Sequence, residues 1–213
     1  MKIAIVTSPN QWFIEFAQEL NKEIKHSKLY FNHEEITEEY DVLFILSYHK
    51  IIDELYLCKN KHNIVVHASD LPKGKGWAPM FWQILEGKKT ITFSMFEASI
   101  DADNGDIYMK KDLILTGYEL NKELREKQAK HTIDMCVEFL DNYAKYKIPK
   151  KQTGSETFYK KRTSKDSELN INKTIFEQFN HLRIVDNNNY PAFFYKDDKK
   201  YILKIEEAEY ENR

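Results

Sequence analysis

The sequence predicts an α/β fold, in which a mostly parallel sheet is flanked by helices. Three short apolar runs, at 3–6, 42–46 and 64–66, are typical of strands that are buried on both faces. Between the first two runs, apolar side chains recur every three to four residues over 12–24, which indicates a helix. Because strands that alternate with helices favour right-handed crossovers between parallel strands, a Rossmann-like sheet is expected.

The remaining predicted elements continue this alternation and then change in character. In chain order they are a helix closed by Gly87, two strands, a long helix, a short amphipathic helix and a β-hairpin, at 79–86, 91–96, 106–115, 118–146, 174–183 and 190–205. Pro149, in a lysine-rich segment, indicates a linker after the long helix. We therefore expect a main domain at 1–147 and a small C-terminal helix-plus-β-hairpin appendage at 148–213.

The composition is that of a folded protein with nearly balanced charge. Hydrophobic residues make up 42% of the 213 positions, and 32 Lys and Arg against 34 Asp and Glu give a net charge of −2. This balance argues against nucleic-acid and membrane partners. The apolar runs are too short for a signal peptide or a membrane span, so a cytoplasmic protein is expected. Both cysteines, Cys58 and Cys136, are expected to be free, buried thiols.

A polar segment follows the third buried strand and carries the first candidate site residue. His67 stands where this strand ends, and Gly74 and Gly76 follow it. In open α/β sheets ligands bind beyond the carboxyl ends of the strands, and a histidine there can exchange protons near neutral pH. The structural alternative is a histidine that only hydrogen-bonds backbone groups at the end of the strand.

An acidic turn at 99–108 carries the second candidate. It contains Asp101, Asp103 and Asp106, and Gly105 permits a tight turn. A solvated turn is the alternative, whereas a calcium site is not expected, since the segment lacks the glycine and the terminal glutamate of an EF-hand loop. The sequence also lacks a Gly-x-Ser-x-Gly elbow and a P-loop. A histidine paired with an aspartate therefore favours direct group transfer with acid–base catalysis.

Segments 67–79 and 103–107 together resemble a known family. The first resembles the His-x-Ser-Leu-Leu-Pro-x-x-x-Gly-x-x-Pro signature of the formyltransferases that use N10-formyltetrahydrofolate, and the second resembles their Asp-x-Gly-Asp-Ile segment. Segment 46–52 resembles their folate loop. The resemblance implies a one-carbon transferase with N10-formyltetrahydrofolate as co-substrate and no metal.

The resemblance also implies roles for individual residues. His67 and Asp103 match two members of the family's Asn–His–Asp set, but the asparagine position is Val65, and Asn63 lies too far back along the strand to replace it. The missing oxyanion donor could be Ser69, a backbone amide or a bound water. The side chains implied in cofactor binding are Tyr48, Lys50, Ile51, Ile52 and Asp101.

The C-terminal segments 157–162, 166–169 and 182–194 resemble sugar N-formyltransferases. This resemblance implies a homodimer that formylates the amine of a nucleotide-linked (dTDP-, UDP- or GDP-) 3- or 4-amino-dideoxy sugar for surface polysaccharide such as lipopolysaccharide O-antigen. The candidate substrate-binding residues are Ser8, Asn10, Lys73, Lys75, Arg183, Tyr190 and Phe193. The alternative for the aromatic residues is a place in the core of the hairpin, and for each lysine a solvated surface position.

Two other functions remain open from the sequence. One is a nucleotide-sugar-binding module with impaired catalysis, for which Val65 would be the sign. The other is a formyltransferase that acts on another amine, such as an aminoacyl-tRNA or glycinamide ribonucleotide. The net charge and the length of 213 residues argue against tRNA, and segment 7–10 lacks the glycine-rich phosphate loop of the glycinamide ribonucleotide enzymes.

Overall fold

The computed structural model describes residues 1–208. Its strands are β1 Ile3–Val6, β2 Lys28–Tyr30, β3 Val42–Ile45, β4 Asn63–His67, β5 Lys75–Gly76, β6 Thr90–Glu97, β7 Ile107–Ile114, β8 Phe158–Tyr159, β9 Ala192–Lys196 and β10 Lys199–Leu203. Its α-helices are α1 Ile14–Glu23, α2 Glu54–Leu57, α3 Pro79–Leu85, α4 Asn121–Asp141, α5 Tyr143–Tyr146 and α6 Phe179–Arg183. Short 3₁₀ helices lie at His33–Glu35 and Ser164–Ser167.

A central sheet organises the main part of the chain, with strand order β2-β1-β3-β4-β6-β7. The first four strands of this order are parallel to one another, and β6 runs antiparallel to both β4 and β7. The predicted α/β fold with a mostly parallel sheet is therefore confirmed. The predicted hairpin is present as the antiparallel pair β9 and β10.

Helices cover both faces of the central sheet and bury its strands. Every residue of β1 and β3 is buried, as the apolar runs predicted. On one face Phe13 and Leu20 pack with Phe139 of α4, and all three are at most 1% exposed. On the other face a smaller cluster joins Leu43 to Leu57 of α2. Full burial of such a side chain stabilises the fold by about 1.5–3 kcal/mol.

Three expectations about local structure were wrong. The long helix starts at Asn121 and breaks at Asn142, whose φ of −115° and ψ of 31° are not helical. The helix expected over 174–183 is reduced to α6, since side-chain hydrogen bonds such as Glu177 Oε2 to the Thr174 amide form turns before it. Of the cysteines, Cys136 is buried, but Cys58 is exposed because it ends the short helix α2 at the surface.

The C-terminal segment returns to the loop that follows β4. There β8 pairs in parallel with β5, and the amides of Lys75 and Trp77 donate to the carbonyl oxygens of Thr157 and Tyr159 at 2.9 and 3.1 Å. The predicted boundary at 147 stays a prediction. Within residues 1–208, none of the helices combines the length and the apolar character needed to span a bilayer.

Candidate active site

A large pocket of about 1060 Å³ opens at the carboxyl end of β4. His67 and Asp103 both line it, and their side chains are 11% and 16% exposed. The Nδ1 atom of His67 lies 3.8 Å from Oδ1 of Asp103, which is close for a charge interaction but too long for a hydrogen bond. The two residues predicted from separate motifs thus meet in one pocket.

The contact made by Nε2 determines which tautomer of His67 is present. Nε2 lies 2.9 Å from the carbonyl oxygen of Gly74. Because a carbonyl only accepts hydrogen bonds, we assign the proton to Nε2, which leaves Nδ1 of the neutral ring as the proton acceptor. His67 can therefore take up a proton at Nδ1, next to the carboxylate of Asp103 that would stabilise the resulting imidazolium.

Asp103 is held in place by two loops. Its φ of 59° lies in the left-handed region, which aspartate tolerates better than most residues. Its Oδ2 accepts a hydrogen bond of 2.8 Å from the Gly76 amide, and its carbonyl accepts one of 2.8 Å from Gln152 Nε2. A Cβ at Gly76 would lie 2.4 Å from the carbonyl oxygen of Tyr159, so the close approach of β8 requires glycine there.

The pocket has two chemically different halves, which extend to opposite faces of the sheet. One half is mostly apolar and adjoins the smaller core cluster; its lining includes Ile45, Tyr48, Ile51, Ile52, Leu57, Val65 and Ala98. The other half is polar and aromatic and adjoins the larger cluster; its lining includes Asn10, Trp12, Phe81, Asn121, Arg125, Arg162, Asp186 and Tyr190. His67 lies at the end of β4, where the two halves of the pocket meet.

Several candidates from the sequence line this pocket. They are His67, Asp103, Tyr48, Lys50, Ile51, Ile52, Asn10 and Tyr190. The Tyr48 hydroxyl lies 2.7 Å from Nδ1 of His33, and burial raises its pKa. Lys50 Nζ donates to Asn32 Oδ1 at 3.2 Å, so both side chains are oriented by the segment that follows β2. Their roles as binding residues stay predictions.

Four polar candidates do not line this pocket: three are bound to other groups, and Ser69 is buried away from it. Ser8 Oγ accepts a hydrogen bond of 2.8 Å from the His49 amide. Ser69 is 1% exposed, its Oγ has no partner among residues 1–208, and the residue packs against Gly74. Lys75 and Arg183 are each 1% exposed and form ion pairs, with Glu156 at 2.5 Å and with Glu119 at 3.5 Å.

Three further candidates also lie outside this pocket. Lys73 is exposed and lines a separate pocket of about 270 Å³ beside Asp70 and Lys110. Asp101 is exposed on the acidic turn, where its carbonyl accepts a hydrogen bond of 2.7 Å from Ser99 Oγ. Phe193 is 5% exposed, and Lys200 Nζ lies 3.8 Å from its ring centroid, so its ring is buried in the hairpin region.

Two arginines that the sequence did not single out line the polar half. The guanidinium of Arg125 lies 4.5 Å from the ring centroid of Trp12 and 4.3 Å from that of Phe81. Burial and the nearby charge of Arg162 lower the pKa of Arg125 to about 10, against the opposing effect of Asp186. Burial also lowers the pKa of Arg162. On a helix as charged as α4, the pattern gave no sign that Arg125 faces a pocket rather than solvent.

Across the described chain, residues 1–208, no group of three or more His, Cys, Asp and Glu side chains is arranged to hold a metal ion.

Curated proteins with similar sequences were found, although no protein-family model matches the chain. The methionyl-tRNA formyltransferase of Rickettsia canadensis is 30% identical over 173 residues, which are 81% of this chain and 56% of that protein. The methionyl-tRNA formyltransferase of Rickettsia bellii is 30% identical over 172 residues, which are 80% of this chain and 55% of that protein. The chain thus spans about half the length of the curated relatives it matches.

Solved structures match almost the whole chain. A methionyl-tRNA formyltransferase from Clostridium thermocellum superposes with a TM-score of 0.80 at 23% identity, over 98% of this chain and 94% of that one. The chain has the formyltransferase fold. A sugar N-formyltransferase from a Shewanella species matches with a TM-score of 0.71 at 14% identity, over 99% and 100% of the two chains. HypX from Aquifex aeolicus, in complex with tetrahydrofolic acid, matches with a TM-score of 0.77 at 15% identity. This match covers 96% of the present chain and 37% of HypX.

These comparisons confirm the resemblance to the formyltransferase superfamily that the motifs predicted. Within this formyltransferase fold, Val65 lines the pocket at the position where the motif resemblance places an asparagine. Asn63 does not take its place, since its Nδ2 donates to the Leu57 carbonyl at 2.9 Å and its Oδ1 accepts from Asn60 at 3.0 Å.

Proposed function

We propose that the chain is an N-formyltransferase that moves a formyl group from N10-formyltetrahydrofolate to the amine of a nucleotide-linked amino sugar. The observation that carries this proposal is the position of His67 and Asp103, which lie side by side in a pocket with two different halves. Such a pocket can bind a donor and an acceptor at once and bring them together at a proton-accepting group.

The apolar half suits the donor. A pterin ring is flat and aromatic with polar edges, and this half offers apolar walls such as Ile52 and Val65 together with the Tyr48 side chain. The fold likeness to HypX in complex with tetrahydrofolic acid supports a folate there. We therefore assign the apolar half to N10-formyltetrahydrofolate and the polar half to the acceptor.

The proposed reaction uses Nδ1, the unprotonated ring nitrogen of His67, as a proton acceptor. As the acceptor amine, in its neutral form, bonds to the formyl carbon, Nδ1 of His67 accepts the proton that the amine loses. Asp103 stabilises the charged imidazole 3.8 Å away. The same proton then passes to the donor nitrogen as its bond to the formyl carbon breaks, which returns His67 to its neutral form and releases tetrahydrofolate.

The acceptor is proposed to be a nucleotide-linked 3- or 4-amino-dideoxy sugar. The net charge of −2 suits a small substrate better than tRNA, and the fold match to a sugar N-formyltransferase extends over 99% of this chain. A homodimer and a role in surface polysaccharide synthesis belong to this proposal. An aminoacyl-tRNA acceptor is the second candidate, which the 30% identity to methionyl-tRNA formyltransferases favours.

Formation of tetrahydrofolate from N10-formyltetrahydrofolate tests the proposal. The acceptors are dTDP-, UDP- and GDP-linked 3- and 4-amino sugars, with initiator methionyl-tRNA in parallel and the matching 3- and 4-hydroxy sugars as controls. We expect turnover with at least one amino sugar, a product heavier by one formyl group, and none with the hydroxy sugars. Turnover with tRNA alone would replace the proposed acceptor, and no turnover with any amine would overturn the function.

A further inference from the structure

Two arginines in the polar half of the pocket lack the partner that a shielded positive charge normally has. Within residues 1–208, neither Arg125 nor Arg162 forms an ion pair with a carboxylate. Arg125 contacts aromatic faces and donates from Nη1 to the neutral Gln128 at 3.2 Å. Arg162 donates from Nη2 to the carbonyl of Asp166 at 3.2 Å, and its buried Nε has no hydrogen-bond partner in the same range of the chain.

Two carboxylates act on the arginines from beyond ion-pair distance, Asp186 on Arg125 and Asp166 on Arg162, and each is bound by other groups. Asp186 accepts hydrogen bonds from the amides of Asn188 and Asn189 at 2.9 and 3.0 Å, and from Asn189 Nδ2 at 2.9 Å. Burial alone would raise the pKa of Asp186, but these hydrogen bonds lower it. Asp186 therefore stabilises its own turn. Asp166 pairs with Lys160 at 2.6 Å and accepts a hydrogen bond of 2.7 Å from the Thr163 amide, so neither carboxylate contacts a guanidinium directly.

One more cationic side chain lines the pocket. Lys161 lines the same pocket, and its Nζ lies 4.5 Å from the ring centroid of Trp77. Arginines held against aromatic rings keep their planar donors in a fixed orientation, which suits the oxygen atoms of a phosphate or a carboxylate. Leaving such donors unpaired in a protein interior costs free energy that a bound anion would recover.

We propose that Arg125 and Arg162 form an anion subsite, which holds an oxyanion of the acceptor while its amine reaches His67. This inference rests on the proposed function only in assigning the polar half to the acceptor. The shared chemistry is a phosphate or carboxylate group. A diphosphate would come from a nucleotide-linked substrate, and a carboxylate from an acidic amine.

Equilibrium binding of simple anions tests the subsite without donor or amine. Calorimetric titrations at low salt use inorganic pyrophosphate and, separately, succinate against the full chain and its Arg125→Met and Arg162→Met variants. The matched control is Lys130→Met, which removes one exposed charge from the same helix. We expect one saturable site, weakened about 10- to 100-fold in each arginine variant and less than about 2-fold in the control.

The two anions distinguish the source of the ligand. Tighter binding of pyrophosphate indicates a diphosphate acceptor, and tighter binding of succinate a carboxylate acceptor; either supports the subsite. Absence of saturable binding to the unmodified protein, equal binding by the arginine variants, or an equal loss in Lys130→Met would overturn it. If Arg125→Met does not fold, Arg125→Lys keeps the charge but loses the planar donors, and about 10-fold weaker binding is expected.

This experiment separates the subsite from the proposed reaction. A protein that binds anions at the arginines but forms no tetrahydrofolate contradicts the proposed function alone. A protein that transfers formyl groups while its arginine variants bind pyrophosphate and succinate normally contradicts the subsite alone.

Discussion

The C-terminal segment meets the rest of the chain in two regions, and these differ in whether their shielded charged side chains form ion pairs. At the junction beside α4, Arg183 is 1% exposed and pairs with Glu119, and Glu119 also accepts from Lys127 at 3.1 Å. In the pocket, neither Arg125 nor Arg162 lies within ion-pair distance of a carboxylate of residues 1–208. Buried charges that form ion pairs stabilise the contact between two segments, whereas buried charges without an ion pair remain available to a ligand. The two regions therefore differ in whether their charges are paired, and not in whether they are buried.

Removing the base from the pocket gives the largest expected effect. His67→Asn keeps a polar side chain but deletes the proton acceptor, so formyl transfer should fall by about 10²–10⁴-fold while the melting temperature is nearly unchanged. Initial rates of tetrahydrofolate formation and thermal unfolding measure both. His26→Asn, at an exposed histidine, is the matched control. Near-normal turnover of His67→Asn would show that the pocket does not work as proposed.

Removing a charge from the junction should lower stability and leave turnover unchanged. Arg183→Met removes the most buried partner of Glu119, while Lys127 and two backbone amides still contact the carboxylate. The free energy of unfolding should therefore fall by about 1.5–3 kcal/mol, while turnover per folded molecule stays the same. Urea unfolding and initial rates measure this. The double variant Arg183→Met/Glu119→Gln should lose less stability than the sum of the two single losses, since the two side chains interact directly. An unchanged unfolding midpoint in the single variant would erase the contrast between the regions.

Lys75 sharpens the comparison because it is a paired charge that lies beside the site. Its Nζ contacts Asn104 Oδ1 and pairs with Glu156, so it holds the turn next to Asp103. In Lys75→Met we expect kcat to fall about 10-fold through misplacement of Asp103, with little change in the KM of the donor. Lys73→Met, on the same loop but exposed, should behave as the unmodified protein. A loss confined to KM would argue against a positioning role.

Acid should weaken the junction through Glu119. Burial alone would raise the pKa of this carboxyl, but hydrogen bonds from the Thr116 and Gly117 amides and from Lys127 lower it from 4.5 to about 2. Because the folded pKa lies below the unfolded one, the stabilisation is complete above about pH 5 and is lost as the pH falls towards 2. Glu119→Gln should therefore flatten the decline in unfolding free energy over this range. A decline as steep as in the unmodified chain would contradict this assignment.

The sequence predicted the elements whose environment is set by their own residues. Apolar runs such as Ile3–Val6 and Val42–Ile45 are buried on both faces, so pattern and position coincide. The strands that it missed, β5 and β8 among them, are two or three residues long and depend on partners distant in the chain. The pairing of Lys75 with Phe158 has no local signal at all.

For the candidate site too, the sequence predicted residues in recognisable motifs but not those whose orientation depends on distant neighbours. His67 and Asp103 each belong to a recognisable motif, and the structure brings them together. Sequence position could not show that Arg183 turns away from the pocket to meet Glu119, nor that Arg125 turns towards it. Which side of a packed helix a charge faces is decided by tertiary neighbours, here Trp12 and Phe81 for Arg125.

The pairing of β5 with β8 has a consequence for how the protein is made. The Gly74 amide donates to Thr157 Oγ1 at 2.8 Å, across 83 residues of chain. During synthesis, the loop that follows His67 emerges well before the segment that fastens it. At ~5–20 residues per second, the ribosome adds those residues in ~4–17 s. The last strand of the central sheet, β7, ends at Ile114, which is 43 residues before Thr157. For the last ~2–9 s of that interval a nascent chain can therefore hold the complete central sheet while the loop beside His67 is still unfastened, so the candidate site is completed late in translation.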